Sequence, residues 1–284
     1  MRYLRVGQAG RERPVLLTDD DRAFDLSQLT EDIDATFLST RLADVEEALA
    51  NGSLPEVDLG GARIGPPLAR PESIVCVGMN YAAHAAESGS PPPSDVIVFF
   101  KKNNTIVGPD DDVLLAPGST QLDWEVEIGV VIGRTCRRLS DRDSALASVA
   151  GYVLANDVSE RHDQLQVSGG QWSKGKCGET YSPIGPWLAT PDYVGDPQSL
   201  RLRSWVNDEP RQDSSSADMI FSVADIIVDL SRYMVLEPGD LILTGTPEGV
   251  ALSGRFPYLK DGDVVRLEVD RLGSMRQTVR TAQP

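Results

Sequence analysis

The sequence predicts an α+β protein that is mostly β, because runs of strand length outnumber helical patterns. Six such runs follow residue 90, in DVIVFF, DWEVEIGVVIG, GYVLANDVS, LRLRSWVND, DLILTG and VVRLEVD. One amphipathic helix interrupts them, SVADIIVDLSRYM, and Ser222 and Asp225 form a candidate capping box at its start. Strands and helices do not alternate steadily, so a doubly wound α/β sheet is not expected.

The first 70 residues are organised differently and are predicted to form a small N-terminal α/β part. RPVLLTDDDRAFDLS is typical of a hairpin, and RLADVEEALANG is typical of a short helix. The proline-rich IGPPLARPES follows. It predicts a boundary between a small domain over residues 1–70 and a larger domain over residues 71–284.

Composition limits the classes of partner. A formal net charge of −16 argues against nucleic acid and anionic membrane surfaces, because both attract basic patches. The chain has no apolar run near the ~18 residues of a membrane span, and its N-terminus lacks the apolar stretch of a signal peptide. Three widely spaced cysteines fit reduced thiols better than disulfides. We therefore expect a cytoplasmic protein that binds neither nucleic acid nor membranes.

The run DWEVEIGVVIG predicts a strand with two unlike faces. Alternation places five apolar side chains on one face, those of Trp124, Val126, Ile128, Val130 and Ile132. Asp123, Glu125 and Glu127 share the other face. The two glutamates lie about 6.6–6.8 Å apart along the strand, so their charges repel unless a cation lies between them. A solvated strand face explains the same pattern equally well.

A third carboxylate favours the cation. Asp157 follows the apolar strand in GYVLANDVS, where it could join Glu125 and Glu127. Three carboxylates without histidine or thiol suit a hard divalent cation such as Mg²⁺ or Mn²⁺, and the sequence does not choose between these two ions. The spacing alone is a weak signal for a metal site.

The chain has only two histidines. If NYAAHAAES is helical, His84 and Glu87 lie three residues apart on one face. A carboxylate in that position can orient an imidazole and raise its basicity for general-base catalysis. A surface histidine on a helix is the alternative. The second histidine, His162, is predicted to be a plain loop or surface residue.

Two glycine-containing stretches are candidates for binding roles. GQWSKGKC nearly matches a nucleotide-binding loop, but Cys177 replaces the hydroxyl residue that binds Mg²⁺, and we reject that function. Lys176 is left in a glycine-flanked setting, either in a site or as a solvated surface lysine. The turn in LTGTPEG could offer hydroxyl and N–H groups to an anion, or it could be simply a turn.

In this order, the motifs resemble the fumarylacetoacetate hydrolase family. They are CVGMNYAAHAAESG, FFKKNNTIVGP, DWEVEIGVVIG, NDVSERHDQ, KGKCGETYSPIGPW and PGDLILTGTPEGV. The resemblance extends from about Pro71 to Arg280, and the first 70 residues match only loosely. It implies a mixed β-sandwich roll in a catalytic domain, an expected homodimer, and Mg²⁺ or Mn²⁺ as the cofactor.

The resemblance also implies residue roles. Three positions match the metal-binding carboxylates of the family: Glu125, Glu127 and Asp157. Three match its catalytic residues: His84, Glu87 and Lys176. Four match polar positions that bind substrate: Thr246, Gln164, Arg161 and Lys101. KCGE stands where relatives carry K-S-F-D, so loss of an aromatic wall is expected, and the identity of the substrate is left open.

The implied activity is cleavage of a C–C bond in a small dicarbonyl acid. A metal-dependent hydrolase would convert a 2,4-dioxo acid, an acylpyruvate or a 2,4-diketo-3-deoxy sugar acid, to pyruvate and a carboxylic acid. The alternatives are a decarboxylase of oxaloacetate-like acids, an isomerase of 2-hydroxydienoates, or a ureidoglycolate lyase. A non-catalytic binding protein is disfavoured, because all six of the implied metal-binding and catalytic residues are present.

Overall fold

Three β-sheets form most of the computed structural model, which describes residues 1–87, 89 and 91–283. The strands are β1 (Arg2–Val6), β2 (Arg13–Leu17), β3 (Ala23–Asp25), β4 (Ile74–Gly78), β5 (Ile97–Lys101), β6 (Ile106–Val107), β7 (Val113–Leu115), β8 (Leu122–Asp123), β9 (Val126–Ile132), β10 (Val149–Asn156), β11 (Ser159–Glu160), β12 (Ser182–Ala189), β13 (Arg201–Val206), β14 (Glu209–Ser215), β15 (Leu241–Leu243), β16 (Val264–Val269) and β17 (Gly273–Thr281). The helices are α1 (Ala35–Thr40), α2 (Leu42–Ala50), α3 (Ala82–Glu87), α4 (Arg142–Leu146), α5 (Ser173–Lys176), α6 (Pro191–Val194) and α7 (Val223–Tyr233).

The largest sheet is mixed, in the order β3-β2-β1-β12-β10-β9-β15-β4-β5, with β6 pairing to β12. Most of its pairs are antiparallel, but β15–β4 and β12–β6 are parallel. A second sheet has the order β14-β13-β16-β17-β7, and β8 pairs with β11 in a third. The prediction of a mostly β protein with mixed sheets is confirmed.

The N-terminal elements form as predicted. Strands β2 and β3 make the antiparallel hairpin, and α2 is the short helix. These residues also extend the largest sheet, because β1 pairs with β12. The domain boundary near residue 70 stays a prediction.

Strand β9 separates two hydrophobic cores. The apolar face predicted for DWEVEIGVVIG lies in one core, and Val131, on the opposite face, lies in the other. The strand is shorter than predicted, since Trp124 and Glu125 interrupt it between β8 and β9. Here the backbone N–H of Glu125 donates to the side chain of Asn156, at the end of β10, instead of to a backbone carbonyl group. At this interruption the chain changes partner from β11 to β10.

Helix α7 has the capping box that the sequence predicts, with Ser222 and Asp225 bonding reciprocally. Its apolar stripe is buried, and the helix packs against the core on one side of β9. Among the described residues, no helix combines the length and the apolar character that crossing a membrane requires.

Candidate active site

Three carboxylates converge where β9 begins and β10 ends. Glu125, Glu127 and Asp157 are buried, and each offers an oxygen atom within 4.8 Å of the other two. The antiparallel register causes this, because Asn156 lies opposite Val126 and so carries Asp157 next to Glu125. The N–H of Asp157 donates to the carbonyl oxygen of Glu125 at 3.0 Å. We call these residues the carboxylate triad.

Lys176 binds two members of the triad at once. Its Nζ atom lies 2.6 Å from Oε2 of Glu125 and 2.7 Å from Oδ2 of Asp157. The lysine ends α5, a single helical turn, and its side chain is buried. Burial opposes the charged form, but the attraction of Asp157 and Glu125 outweighs it and raises the pKa of Lys176. Lys176 is therefore buried, and the alternative of a solvated surface lysine is wrong.

Two further positively charged side chains lie next to the triad. Arg161 donates to Oε1 of Glu125 at 2.7 Å and to Oδ2 of Asp123 at 2.8 Å. Asp123 also accepts the N–H groups of Ala251 and Leu252, which explains why an acid without a family role is buried here. Lys101 donates to Asp157 from the far side.

The site carries more negative than positive groups. Four buried carboxylates, Asp123 and the triad, face three buried cations, Lys101, Arg161 and Lys176. The described residues give Glu127 no ion pair, and its Oε2 accepts only the N–H of Gly245, at 2.9 Å. Burial, together with the charges of Asp157 and Glu125, raises the pKa of Glu127 well above its usual range. Four carboxyl groups against three cations leave one negative charge, which a proton on Glu127 or a bound cation can offset. A donor set made only of oxygen atoms fits a hard divalent cation.

His84 and Glu87 face each other at the end of α3. The distance from Nδ1 of His84 to Oε2 of Glu87 is 3.9 Å, too long for a hydrogen bond. His84 is buried, and its Nδ1 atom has no hydrogen-bond partner among the residues that the structure describes. Burial lowers the pKa of His84, with help from Arg161 and Lys176, against the opposing charges of Glu125 and Glu87. The alternative of a surface histidine is therefore wrong.

A cavity of about 480 Å³ joins these groups. Nine of the ten predicted site residues line it: His84, Glu87, Glu125, Glu127, Asp157, Arg161, Gln164, Lys176 and Thr246. The tenth, Lys101, lies behind Asp157 and is buried. His162 is exposed at the surface, as predicted.

The predicted substrate-binding residues have protein partners in this structure. Gln164 accepts a hydrogen bond from Nη1 of Arg161 at 2.9 Å. The hydroxyl of Thr246 donates to the carbonyl oxygen of Val126 and accepts from Nε2 of Gln212. Thr246 therefore links the TGTP turn to the start of β9.

Sequence reasoning missed an aromatic wall of the cavity. Phe99 and Trp172 both line it, with their rings edge to face and 5.8 Å between centroids. The Nζ atom of Lys176 lies 5.1 Å from the centre of the Phe99 ring. The expected loss of aromatic character is therefore corrected, because other elements supply the rings. The two aromatic residues stand in FFKKNN and GQWSKGK, and the site predicted from the sequence includes neither of them.

The model of the family described as fumarylacetoacetate (FAA) hydrolase C-terminal matches residues 73–280. The chain belongs to the fumarylacetoacetate hydrolase family. The match covers the triad, both members of the His84–Glu87 pair and Lys176, and it begins two residues after the resemblance predicted from the motifs.

Similar proteins cover nearly all of the chain or all of it. A 2,4-didehydro-3-deoxy-L-rhamnonate hydrolase from Sphingomonas sp. (strain SKA58) is 47% identical over 98% of this chain and 96% of its own length. A maleylpyruvate hydrolase from Sphingobium sp. SYK-6, solved with manganese(II) ion and pyruvate, has a TM-score of 0.81 and 29% identity, and both chains are covered fully. A 2-hydroxyhepta-2,4-diene-1,7-dioate isomerase from Mycobacterium marinum has a TM-score of 0.78 and 30% identity, also with full coverage.

Proposed function

We propose that this member of the fumarylacetoacetate hydrolase family is a metal-dependent hydrolase of a 2,4-dioxo acid. The substrate is an acylpyruvate or a 2,4-diketo-3-deoxy sugar acid, and the products are pyruvate and a carboxylic acid. One observation carries the proposal: a buried histidine and three buried carboxylates line the same cavity. The names of the rhamnonate and maleylpyruvate hydrolases support this class of substrate.

The metal would be held by Glu125, Glu127 and Asp157. The fit rests on the donor set of this chain, which is all oxygen and buried, and in which the described residues give Glu127 no ion pair. Manganese(II) in the maleylpyruvate hydrolase supports Mg²⁺ or Mn²⁺ as the ion. When bound, such an ion supplies a Lewis acid that stabilises negative charge on the oxygens of the substrate.

The side chains of the cavity provide the remaining chemistry. His84 accepts a proton from water as the water oxygen forms a bond to C4 of the substrate. The C3–C4 bond then breaks, and its electron pair passes to C3 as the enolate of pyruvate. A proton returned to C3 completes pyruvate, and the carboxylic acid keeps the oxygen from water.

Two features of this chain suit these steps. Burial lowers the pKa of His84 and so favours the neutral form, which is the form that accepts a proton. Lys176 places a permanent positive charge at the cavity wall, where it offsets the negative charge of the acid or of the tetrahedral intermediate. Glu87 orients the imidazole once the 3.9 Å gap between them closes.

An isomerase is the second candidate, favoured by the structural similarity to the 2-hydroxyhepta-2,4-diene-1,7-dioate isomerase. Isomerisation and decarboxylation use the same stabilised enolate but need no attacking water. The two candidates therefore differ in what His84 must do, and they release different products.

The deciding experiment is a substrate panel with metal-free protein to which Mg²⁺ or Mn²⁺ is added. Acylpyruvates, a 2,4-diketo-3-deoxy sugar acid, oxaloacetate and a 2-hydroxydienoate are compared by release of pyruvate, release of CO₂ and loss of diene absorbance. We expect metal-dependent pyruvate release from the 2,4-dioxo acids. H84A should lower that turnover by roughly two to four orders of magnitude.

H162A is the matched control, because His162 is exposed. It should behave like the unaltered protein. Turnover of the diene or of oxaloacetate alone would replace the hydrolase proposal by its alternative, and retained hydrolysis in H84A would remove His84 from the mechanism.

A further inference from the structure

Arg255 forms an ion pair with the carboxylate that the mechanism assigns to the His84–Glu87 pair. Its Nη1 atom donates to Oε1 of Glu87 at 2.9 Å. Arg255 lies two residues after Ser253, which lines the cavity, and the side chain of Arg255 is 60% exposed. We infer that Arg255 is a positioning residue that holds Glu87 in line with His84. The inference rests on the proposed function, since it deepens the role given to Glu87.

Both oxygens of Glu87 have a fixed donor. Arg255 holds Oε1, and the backbone N–H of Gly249 donates to Oε2 at 3.0 Å. A carboxylate held at both oxygens cannot rotate freely, so Oε2 stays directed toward Nδ1 of His84 at 3.9 Å. A shift of about 1 Å by the imidazole would complete that hydrogen bond.

The backbone donor is itself fixed. Gly249 has a φ of 99°, a conformation that favours glycine, and a Cβ atom there would lie 2.3 Å from the carbonyl oxygen of Arg211. The following residues form a single 3₁₀ turn, Ala251–Ser253, and the N–H of Arg255 donates to the hydroxyl of Ser253. Arg255 therefore extends from an anchored backbone.

The same stretch of chain also supports the triad. The N–H groups of Ala251 and Leu252 donate to Asp123, which holds Arg161 against Glu125. Residues 249–255 thus set the position of Glu87 at one side of the cavity and of a candidate metal ligand at the other. Residues 249–255 therefore align Glu87 with the carboxylate triad across the cavity.

The ion pair between Arg255 and Glu87 adds little to the folding stability of the protein. An arginine that is 60% exposed contributes little through a salt bridge, because water screens its charge. Glu87 is only 11% exposed, so without Arg255 one oxygen of a mostly buried carboxylate loses its charged partner. The carboxylate would then be held only through Oε2, by the N–H of Gly249, and could rotate about that bond while staying near His84.

Arg255 affects His84 through its charge as well as through the position of Glu87. The charged groups that act on His84 are Glu125, Arg161, Glu87 and Lys176. Arg255 neutralises part of the charge of Glu87. Removing Arg255 should therefore strengthen the attraction between Glu87 and a protonated His84, and His84 should protonate at higher pH.

The kinetic test compares R255Q with R255K and with R201Q on the preferred 2,4-dioxo acid. Arg201 is a matched control, since it forms an exposed ion pair with Asp213 on β13 and β14. We expect R255Q to lower kcat by about 10- to 100-fold with little change in KM. R255K should recover part of that loss, and R201Q should lose nothing. The double variant E87Q/R255Q should be no slower than E87Q.

A titration tests the same inference without turnover. The chain has two histidines, so the imidazole signals of His84 and His162 can be followed by NMR with Mg²⁺ present. In R255Q the pKa of His84 should rise while that of His162 stays constant. If no 2,4-dioxo acid is turned over, the proposed function fails, yet this titration still tests Arg255. An unchanged His84 titration, or a kcat loss that adds fully to that of E87Q, would overturn the inference.

Discussion

The Nζ atom of Lys176 lies 2.6 Å from Oε2 of Glu125, and both side chains are buried. Burial alone would raise the pKa of Glu125, but the charges of Lys176 and Arg161 lower it to about 2. The protein itself therefore supplies part of the positive charge that stabilises the triad, and the proposed divalent cation would supply the rest.

Replacing Lys176 should make the protein depend on the divalent cation for stability. K176M removes the shared partner of Glu125 and Asp157 and leaves buried charges less well paired, a change that costs about 3 kcal/mol in the free energy of unfolding. Chemical denaturation with chelator and with Mg²⁺ measures this, and Mg²⁺ should recover more stability in K176M than in the unaltered protein. K174M is the control, since Lys174 is exposed on the same helical turn. Equal stability of K176M and K174M in chelator would contradict the prediction.

Glu127 should be needed for the cation and not for the fold. Burial and the charges of Asp157 and Glu125 disfavour the ionised form of Glu127, so E127Q without metal should unfold no more easily than the unaltered protein. A ligand at 100 times its Kd stabilises by about 2.7 kcal/mol, and E127Q should lose most of this gain with Mg²⁺. Thermal unfolding over a Mg²⁺ series is the measurement, with the exposed Glu179→Gln as control. A full Mg²⁺ gain in E127Q would exclude Glu127 as a ligand.

Acid should inactivate the enzyme below the usual pKa of histidine. Burial lowers the pKa of His84 below 6.5, so the free base persists at pH 7, and kcat/KM should fall only in more acidic solution. The free energy of unfolding should also fall as the solution becomes more acidic. Between the lowered pKa of folded His84 and 6.5, the unfolded chain binds more protons than the folded protein. The contribution of His84 to the free energy of unfolding is therefore complete above pH 6.5 and is lost as the pH falls through the lowered pKa. Paired pH–rate and NMR profiles check this, and an acidic limb centred above pH 6.5 would contradict it.

Trp172 should govern the choice of acyl group. Its ring lines the cavity, packs edge to face on Phe99 and lies against Gly78, where a Cβ atom would be 2.4 Å from the ring. W172A opens this wall, so kcat/KM should shift in favour of longer acyl groups relative to acetyl. The ratio of kcat/KM for two acylpyruvates measures the effect. W205A, on β13, is the control and should leave the ratio unchanged.

The expected homodimer and the absence of nucleic-acid and membrane partners remain predictions from the sequence. Sedimentation of the purified protein measures the first of these directly.

The sequence by itself determined the features that depend on local periodicity and residue type. Alternation in DWEVEIGVVIG fixed which side chains face each core, as the separate placement of Val130 and Val131 shows. The capping box of α7 was equally local. The three carboxylates indicated a hard divalent cation, because the type of residue determines which ions its side chain prefers. The order of the motifs indicated the family.

Tertiary structure decided which distant groups meet. Arg161 binds both Asp123 and Glu125. Trp172 packs on Phe99. Arg255 binds Glu87, although the two residues lie 168 positions apart in the chain. Periodicity tells which face of an element is apolar, but not which other element covers that face. The register of β9 with β10 and the path of residues 249–255 set those contacts, and both result from packing among segments far apart in sequence.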